Sequence, residues 1–322
     1  MATPELLTIG RISVDLYGQE LGAGLADPQS FAKAVGGSAT NVAVAGARLG
    51  HRTAVLTGVG QDSLGEFLIR DLSGKFGVDT SFIARVPGVR TPVVLAGLDN
   101  PGDPEFVFYR EPDAPDMQIT ADLVPDEVVR EVPVFWFTGS ALSRDPSATA
   151  VSSLLAIRDR KPHSVFDLDY RPSFWPSREA ATSVIGAALS AATITIGNRE
   201  ECSVALGMPV ETSPEDFAAA LLERGVSIAV VKRGADGVLV ADASGMVTVP
   251  GIPVEVMCGL GAGDAFGGAF VHGLLSGWTP VQCVEYGNAA GAIVASRLLC
   301  SEAMPTVDEV NDFLVTAGHQ VP

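Results

Sequence analysis

Residues 259–270, GLGAGDAFGGAF, place one aspartate after a glycine-rich turn and before an apolar run. Gly261, Ala262 and Gly263 carry little or no side chain, so their backbone N–H groups can approach a ligand closely. A helix that begins near Asp264 adds partial positive charge at the same point. The pattern predicts an anion hole for a transferring phosphoryl group, with Asp264 accepting the proton of an attacking hydroxyl.

The residues of this stretch also allow other interpretations. Asp264 is of a residue type favoured as a helix N-cap. A dinucleotide-binding turn fits less well, because the glycines are not spaced as GxGxxG and do not follow the first strand. A Walker P-loop does not fit, since no Gly-Lys-Ser/Thr sequence follows.

The composition limits the class of partner. The chain has 322 residues and a formal net charge of −17, which argues against binding to nucleic acid. No apolar run predicts a membrane span, and the N-terminal residues MATPELLTIG lack the basic region of a secretory signal. Four cysteines show no metal-ligand spacing, so we expect reduced thiols and a cytoplasmic location. They are Cys202, Cys258, Cys283 and Cys300.

The hydrophobic pattern predicts an α/β fold. Strand-like segments alternate with helical ones, which favours a mostly parallel sheet with helices on both faces. The predicted strands are 6–16, 52–59, 134–138, 164–167, 193–197 and 228–232, followed by a hairpin at 238–249. Predicted helices follow Gly37 and span 63–76, and residues 263–316 are expected to be mostly helical.

Two β-rich regions, about 11–30 and 90–112, do not fit this alternation. The second contains two strand-like segments joined by the turn sequence DNPGD at 99–103. We expect the two regions to form a small sheet that acts as a lid over one domain comprising residues 1–322.

Four segments together resemble the ribokinase/PfkB family of carbohydrate kinases. They are GGSATNVAVAGARLG at 36–50, NREE at 198–201, VKRGADG at 231–237 and the glycine-rich stretch at 259–270. The resemblance covers nearly the whole chain. It implies a Rossmann-like, ribokinase-like fold with a small β lid and ATP-dependent phosphorylation of a sugar hydroxyl.

The resemblance also implies roles for individual residues. Asp264 would be the catalytic base, the turn from Gly261 to Gly263 the anion hole, and Glu201 an indirect partner of Mg²⁺. The implied sugar-binding residues are Asp15, Gly36, Gly37 and Asn41. The implied nucleotide-binding residues are Asn198, Lys232, Gly234, Gly237 and Asn288. Plainer roles remain open: Asn41 could bond a loop backbone, Lys232 could be a solvated charge, and Glu201 could be a first-turn helix acid.

One position departs from the family pattern. Many members have Asp-Thr where this chain has Cys258 and Gly259, and that aspartate helps to form a monovalent-cation site. Activation by K⁺ is therefore in doubt. A reactive thiol at Cys258 is an alternative to a small buried residue.

Further segments, among them FYREPDAPDM at 108–117 and FDLDYRPSFW at 166–175, resemble a branch of the family that phosphorylates sugar acids. A carboxylate substrate favours planar, bidentate arginine partners, for which Arg110 and Arg171 are candidates. Tyr109 could cover the sugar. The alternative is a structural salt bridge, of Arg110 with Glu111 or of Arg171 with Asp169. Asp167 and Asp169 lie at the end of the strand that precedes Arg171, where one of them could support Arg171 or approach the Mg²⁺-bound phosphates. Asp169 is not assigned a role.

The leading functional hypothesis is therefore transfer of phosphate from ATP to the 6-hydroxyl of 5-dehydro-2-deoxygluconate, with Mg²⁺ bridging the nucleotide phosphates. The alternatives are a 2-keto-3-deoxygluconate kinase, a fructokinase-like ketose kinase, or a binding protein without catalysis. The resemblance also suggests a homodimer formed through the lid.

Overall fold

Two β-sheets organise the chain. The computed structural model describes residues 3–20, 22–27, 29–100 and 104–322. The larger sheet has nine strands in the order β13-β12-β11-β10-β9-β8-β1-β4-β5, and the smaller has four in the order β3-β2-β6-β7. The strands are β1 (Leu6–Ile9), β2 (Ser13–Gly18), β3 (Phe31–Gly36), β4 (Thr53–Gly60), β5 (Ile83–Val86), β6 (Val93–Ala96), β7 (Phe106–Tyr109), β8 (Val134–Thr138), β9 (Ser164–Asp167), β10 (Ile194–Asn198), β11 (Ile228–Lys232), β12 (Val238–Asp242) and β13 (Gly245–Val249).

Helices cover both faces of the large sheet. They are α1 (Ser38–Arg48), α2 (Ser63–Gly74), α3 (Asp126–Glu131), α4 (Ser147–Arg158), α5 (Arg178–Ala188), α6 (Arg199–Leu206), α7 (Pro214–Glu223), α8 (Ala262–Leu275), α9 (Pro280–Ala295), α10 (Cys300–Ala303) and α11 (Val307–Thr316). Strand β8 shows why both faces need cover. Its residues Phe135 and Phe137 enter one hydrophobic cluster and Val134 and Trp136 enter another, since alternate side chains point to opposite faces.

The winding of the sheet reverses beside β1. This strand pairs in parallel with β4 on one side and with β8 on the other, so that Ile9 lies level with Leu56 and Phe137. The chain therefore leaves β1 toward one edge and later returns toward the other. A crevice opens at the carboxyl ends of the strands at such a reversal, and ligands bind there in open α/β sheets. The residues that follow β1 and β8 lie in this position.

The prediction of one continuous strand over 6–16 was wrong. Strand β1 ends at Ile9 in the large sheet, and β2 begins at Ser13 in the small one. The apolar stretch becomes polar at Arg11 because the chain here leaves the buried sheet for the cavity. Gly10 allows the change of direction, since its φ is 154° and a Cβ there would lie 2.5 Å from Thr138 Oγ1.

The small sheet lies where a lid was predicted, with one difference. Strand β3 follows the first predicted lid region, and the sequence pattern did not predict it. Strands β6 and β7 pair antiparallel within the second predicted region. Of the predicted turn at 99–103, residues 101–103 lie outside the described part of the chain, as do 21 and 28. Among the described residues, no helix combines the length and the hydropathy needed to cross a membrane.

Helix α8 packs directly on α1 through residues without side chains. A Cβ at Gly268 would lie 2.3 Å from Ala45 Cβ, and one at Gly267 would lie 2.7 Å from the Trp136 ring. Gly268 therefore sets how closely the two helices approach, and Gly267 allows α8 to lie close to β8. The close approach brings the first turn of α8 next to the first turn of α1.

A side chain at Gly268 should separate these helices. We expect Gly268→Val to lower the free energy of unfolding by about 1–3 kcal/mol, because the added methyl groups overpack a filled contact. Urea denaturation would measure the loss. Gly74→Ala is the matched control, since nothing lies within 4 Å of its Cβ position, and that change should be neutral or slightly stabilising. Equal stability of both variants would contradict the packing argument.

Candidate active site

A cavity of about 390 Å³ lies at the carboxyl ends of the central strands, beneath the small sheet. Residues from six strands and from the first turns of α1, α6 and α8 line it. Most of the predicted site residues meet here. Those that line the cavity are Asp15, Gly37, Asn41, Arg171, Asn198, Glu201, Lys232, Gly261, Gly263 and Asp264.

The N-terminus of α8 forms one wall of this cavity. Gly261 is its N-cap residue with a φ of 75°, and no described side chain caps the helix. A Cβ at Gly261 would also lie 2.5 Å from Cys300 Sγ, so only glycine fits there. Lys232 adds a positive charge, since its Nζ lies 3.5 Å from the Cβ position of Gly263. Uncapped N–H groups beside an ammonium group suit an anion.

Asp264 lies in the first turn of α8, and its carboxyl group faces the cavity. The N-cap interpretation of this residue is wrong, because Gly261 takes that position. Asn41 Nδ2 donates a hydrogen bond to Asp264 Oδ2 at 2.8 Å, and Ser301 Oγ lies 2.8 Å from Asn41 Oδ1. Burial raises the pKa of Asp264 to about 6, against the lowering effect of the Asn41 bond. The carboxylate is thus held in place and is more basic than usual.

Asp15 faces the cavity from β2 of the small sheet. Ser13 Oγ donates to Asp15 Oδ1 at 2.6 Å, and burial raises the pKa of Asp15 to about 6. Gly36 on the neighbouring strand makes room for this carboxyl group, because a Cβ there would lie 2.0 Å from Asp15 Cγ. Gly36 therefore shapes the site without lining it. Gly37 lines the cavity as the N-cap residue of α1, with a φ of 98°.

Five charged side chains of alternating sign run along the floor of the cavity. Arg11 Nη2 lies 3.0 Å from Asp169 Oδ1, and Arg171 Nη2 lies 3.1 Å from the same oxygen. Arg171 Nη1 lies 3.8 Å from Glu201 Oε1, and Lys232 Nζ lies 3.9 Å from Glu201 Oε2. We call Arg11, Asp169, Arg171, Glu201 and Lys232 the charge row. It leads from the end of β1 to the first turn of α8.

The charge row sets the ionisation of its neighbours. Burial alone would raise the pKa of Asp169, but Arg11 and Arg171 outweigh it and lower the pKa to about 2. For Asp167, burial outweighs the lowering effect of Lys232 and raises the pKa, and nearby carboxylates raise it further. Its charge therefore depends on what the cavity holds. Burial tends to lower the pKa of Lys232, but adjacent carboxylates led by Glu201 raise it.

Asn198 and Glu201 form a capping box at the start of α6. Asn198 Oδ1 accepts from the Glu201 N–H at 2.9 Å, and Glu201 Oε2 accepts from the Asn198 N–H at 2.7 Å. Both residues line the cavity while they cap the helix. Among the described residues, no three His, Cys, Asp or Glu side chains cluster in a way that could hold a metal ion. A Mg²⁺ ion here would need ligands from phosphate and water.

A model described as pfkB family carbohydrate kinase matches residues 3–307. This chain belongs to the PfkB family of carbohydrate kinases. It is 32% identical over 316 residues to a 5-dehydro-2-deoxygluconokinase from Geobacillus thermodenitrificans, a match that covers 96% of this chain and 93% of the relative. The PfkB match and the kinase relatives identify it as an ATP-dependent carbohydrate kinase.

Solved kinases share the fold of this PfkB-family chain. Xylella fastidiosa fructokinase with bound ATP aligns with a TM-score of 0.85 at 24% identity, covering 98% of this chain and 100% of that one. A double mutant of Vibrio cholerae fructokinase with fructose, ADP and potassium ion bound aligns with a TM-score of 0.84 at 26% identity, covering the same shares. The predicted ribokinase-like α/β fold with a separate small sheet is confirmed.

The structure does not bring Arg110 and Tyr109 of this PfkB-family kinase to the cavity. Arg110 forms a buried bidentate salt bridge with Asp116, at 3.2 and 3.0 Å. The expected partner Glu111 pairs with Arg144 instead. Tyr109 is 61% exposed, because alternate residues of a strand face opposite sides. Phe108 lines the cavity in its place. The expected roles of Arg110 and Tyr109 in substrate binding are corrected accordingly.

Three predicted nucleotide-binding residues lie outside the cavity lining. A Cβ at Gly237 would lie 2.1 Å from the Val249 carbonyl oxygen, and Asn288 Nδ2 donates to the Pro250 carbonyl oxygen at 3.0 Å. Both therefore lie next to residues 249–250, at the end of β13. Gly234 begins the turn before β12, with a φ of 62°. Ala262, the first residue of α8, does not line the cavity either.

The sequence reasoning overlooked Arg11, Ser38 and Phe108 as cavity residues. Arg11 follows β1 where the winding reverses, and Ser38 is the first residue of α1. The signal for Arg11 was present in the sequence, because a charged side chain just after a buried strand does not serve apolar packing. The side of β7 on which Phe108 lies depends on the strand register, which the sequence alone does not specify.

We expect Asp264→Asn to lower turnover and to raise stability at neutral pH. The amide cannot accept the hydroxyl proton, so kcat should fall by about 10²–10⁴-fold. The folded-state pKa of about 6 lies above the ordinary value, so the wild type loses stability as pH rises from 4 through 6. The variant should therefore be more stable than wild type at pH 7.5 and lose this advantage near pH 4. Thermal melts across this range and an ADP-release assay measure both effects.

Asp242→Asn is the control for the pH dependence. The Ser244 hydrogen bonds lower the pKa of Asp242, so its stabilisation is present above the unfolded pKa and lost as pH falls. The stability of Asp242→Asn relative to wild type should therefore change with pH in the direction opposite to that of Asp264→Asn. A destabilised Asp264→Asn at pH 7.5, or one with full turnover, would contradict the assignment of the base.

Proposed function

We propose that this kinase phosphorylates the 6-hydroxyl of 5-dehydro-2-deoxygluconate. One observation carries the proposal: the Arg171 guanidinium lies in the cavity as part of the charge row, where a neutral sugar needs no cation. Arginine matches a carboxylate in charge and in geometry. The Geobacillus relative, named 5-dehydro-2-deoxygluconokinase, supports the same substrate.

The cavity supports a direct transfer. The sugar would lie between Asp15 on the small sheet and Asp264 on α8. Asp264 takes the proton of the 6-hydroxyl as its oxygen attacks the γ-phosphorus of ATP. The bond from that phosphorus to the β-phosphate oxygen breaks, and ADP leaves. A base with a pKa of about 6 is ionised at neutral pH and still accepts a proton.

The uncapped first turn of α8 and Lys232 would hold the transferred phosphoryl group. Their N–H groups would point at the place where negative charge develops in the transition state. When bound, Mg²⁺ neutralises part of the charge on the nucleotide phosphates. Glu201 faces the same region and could act on the ion through water, since it is occupied in the capping box.

We propose that the nucleotide extends from Lys232 toward residues 249–250. Gly237 and Asn288 both contact this segment, which supports the implied path along the hairpin of β12 and β13. We also propose that the enzyme acts in the cytoplasm, where ATP is available and its four free cysteines remain reduced. A homodimer through the small sheet stays a proposal, supported by the exposed Tyr109 ring.

A second substrate could bind to Arg171 in the same way. The acid 2-keto-3-deoxygluconate also carries a carboxylate, so the charge row does not separate it from the first. Fructose lacks the carboxylate and gives the guanidinium no ligand. The choice between acid and neutral sugar is therefore what Arg171 decides.

We expect activity to follow the carboxylate. An ADP-release assay with ATP and Mg²⁺ would compare 5-dehydro-2-deoxygluconate, 2-keto-3-deoxygluconate, fructose and ribose. Arg171→Ala should raise the KM for the preferred acid by about 10–100-fold, as expected for loss of a charge-assisted bidentate contact, and leave that for fructose nearly unchanged. Arg144→Ala is the control, since Arg144 pairs with Glu111 away from the cavity. Preference of the wild-type enzyme for fructose would contradict the proposal.

We expect no activation by potassium. Cys258 stands where many family members have an aspartate, it is 1% exposed, and burial raises the pKa of its thiol. A neutral sulfur is a poor ligand for a hard cation that prefers oxygen. Turnover should be the same in KCl and in choline chloride at equal ionic strength. Several-fold activation by KCl over choline chloride would contradict this expectation.

A further inference from the structure

We propose that Arg11 is the second guanidinium that binds the substrate carboxylate, beside Arg171. The inference rests on the proposed sugar-acid substrate and adds a residue that determines specificity. It replaces Arg110, whose salt bridge with Asp116 leaves it outside the cavity.

Arg11 presents an unused donor to the cavity. Its residue is 6% exposed, and its Nε and Nη2 atoms are occupied by hydrogen bonds to Asp169, Ser140 and Ser38. Its Nη1 atom has no hydrogen-bond partner in the described ranges 3–20, 22–27, 29–100 and 104–322. Arg11 nevertheless lines the cavity. A buried guanidinium with one available N–H group can donate a hydrogen bond to an acceptor on a bound ligand.

Arg11 and Arg171 are neighbours because they share one acceptor. Both Nη2 atoms lie within hydrogen-bond distance of Asp169 Oδ1, at 3.0 and 3.1 Å. The two guanidinium groups can therefore reach the two oxygens of a single bound carboxylate. Two arginines on one carboxylate also bind more selectively than one, since each supplies directed donors.

The charge row by itself has a net positive charge, while Asp15, Asp167 and Asp264 add carboxyl groups elsewhere in the cavity. The row contains three cations, Arg11, Arg171 and Lys232, and two carboxylates, Asp169 and Glu201. The two ends of the row suit different anions: Lys232 lies beside the first turn of α8, and Arg11 lies at the end of β1. This arrangement assigns the phosphate to one end and the substrate carboxylate to the other.

The position of Arg11 is fixed before the substrate binds. Asp169, Ser38 and Ser140 hold its head group, and Cζ lies 5.4 Å from the centre of the Phe174 ring. A side chain that is already ordered loses little conformational entropy on binding. Arg110 provides a matched comparison, since its Cζ lies 4.6 Å from the same ring but its donors are used by Asp116.

The test measures binding of a matched pair of ligands. Calorimetry would compare 5-dehydro-2-deoxygluconate with its C1 primary amide, which has nearly the same shape and no charge. We expect Arg11→Gln to weaken binding of the acid by about 10–100-fold and that of the amide by no more than about threefold, because only the acid loses a charge-assisted contact. Arg110→Gln should keep the acid preference of the wild type.

The possible failures are distinguishable. Equal binding of acid and amide by the wild type would overturn the proposed function. A wild type that prefers the acid, with the same preference in Arg11→Gln, would overturn only the role of Arg11. If Arg11→Gln does not fold, Arg11→Lys keeps the charge and loses the forked donors. It should lose part of the acid preference, and an unchanged preference there would also overturn the inference.

Discussion

One buried carboxylate holds the site together. Asp169, 1% exposed, accepts hydrogen bonds from Arg11 after β1, Ser38 at the start of α1 and Ser140 after β8, and it pairs with Arg171. Each partner comes from a different element at the reversal of the sheet. A buried ion pair is weak evidence of net stability, because desolvation offsets much of the attraction. Its value here is positional, since it fixes two guanidinium groups at the cavity floor.

The requirement for a base opposes stability at neutral pH. Burial raises the pKa of Asp15 and of Asp264, so both carboxylates are ionised at a cost in the folded state. The same burial makes Asp264 a better proton acceptor. Asn41 offsets part of the cost by donating to Asp264, and the glycines between α1 and α8 allow that contact. The contact between Asn41 on α1 and Asp264 on α8 therefore affects both function and stability.

Arg110 and Arg171 look alike in the sequence but have different environments. Each follows a strand next to an aromatic or aspartate-rich segment, and each was a candidate for the substrate. Arg110 meets Asp116 and becomes a buried structural pair, while Arg171 stays at the cavity with a side chain that is 39% exposed. The Asp116 carboxyl group also accepts from the Ile12 N–H at 3.4 Å, beside the start of the small sheet. Arg110 therefore links the end of β7 to the helical turn at Pro115–Met117 and, through Asp116, to the chain that enters the small sheet.

The sequence alone determined the alternation of strands and helices from β8 to β11, the α/β class with its small sheet, and the glycine turn before Asp264. These features depend on neighbouring residues: strand periodicity, glycine at a helix start, and the spacing of short motifs. Only the tertiary structure decided which charged groups meet. Arg11 and Asp169 are 158 positions apart, and Asn41 and Asp264 are 223 apart. Contacts over such separations depend on how the sheets and helices pack, so local sequence patterns do not specify them.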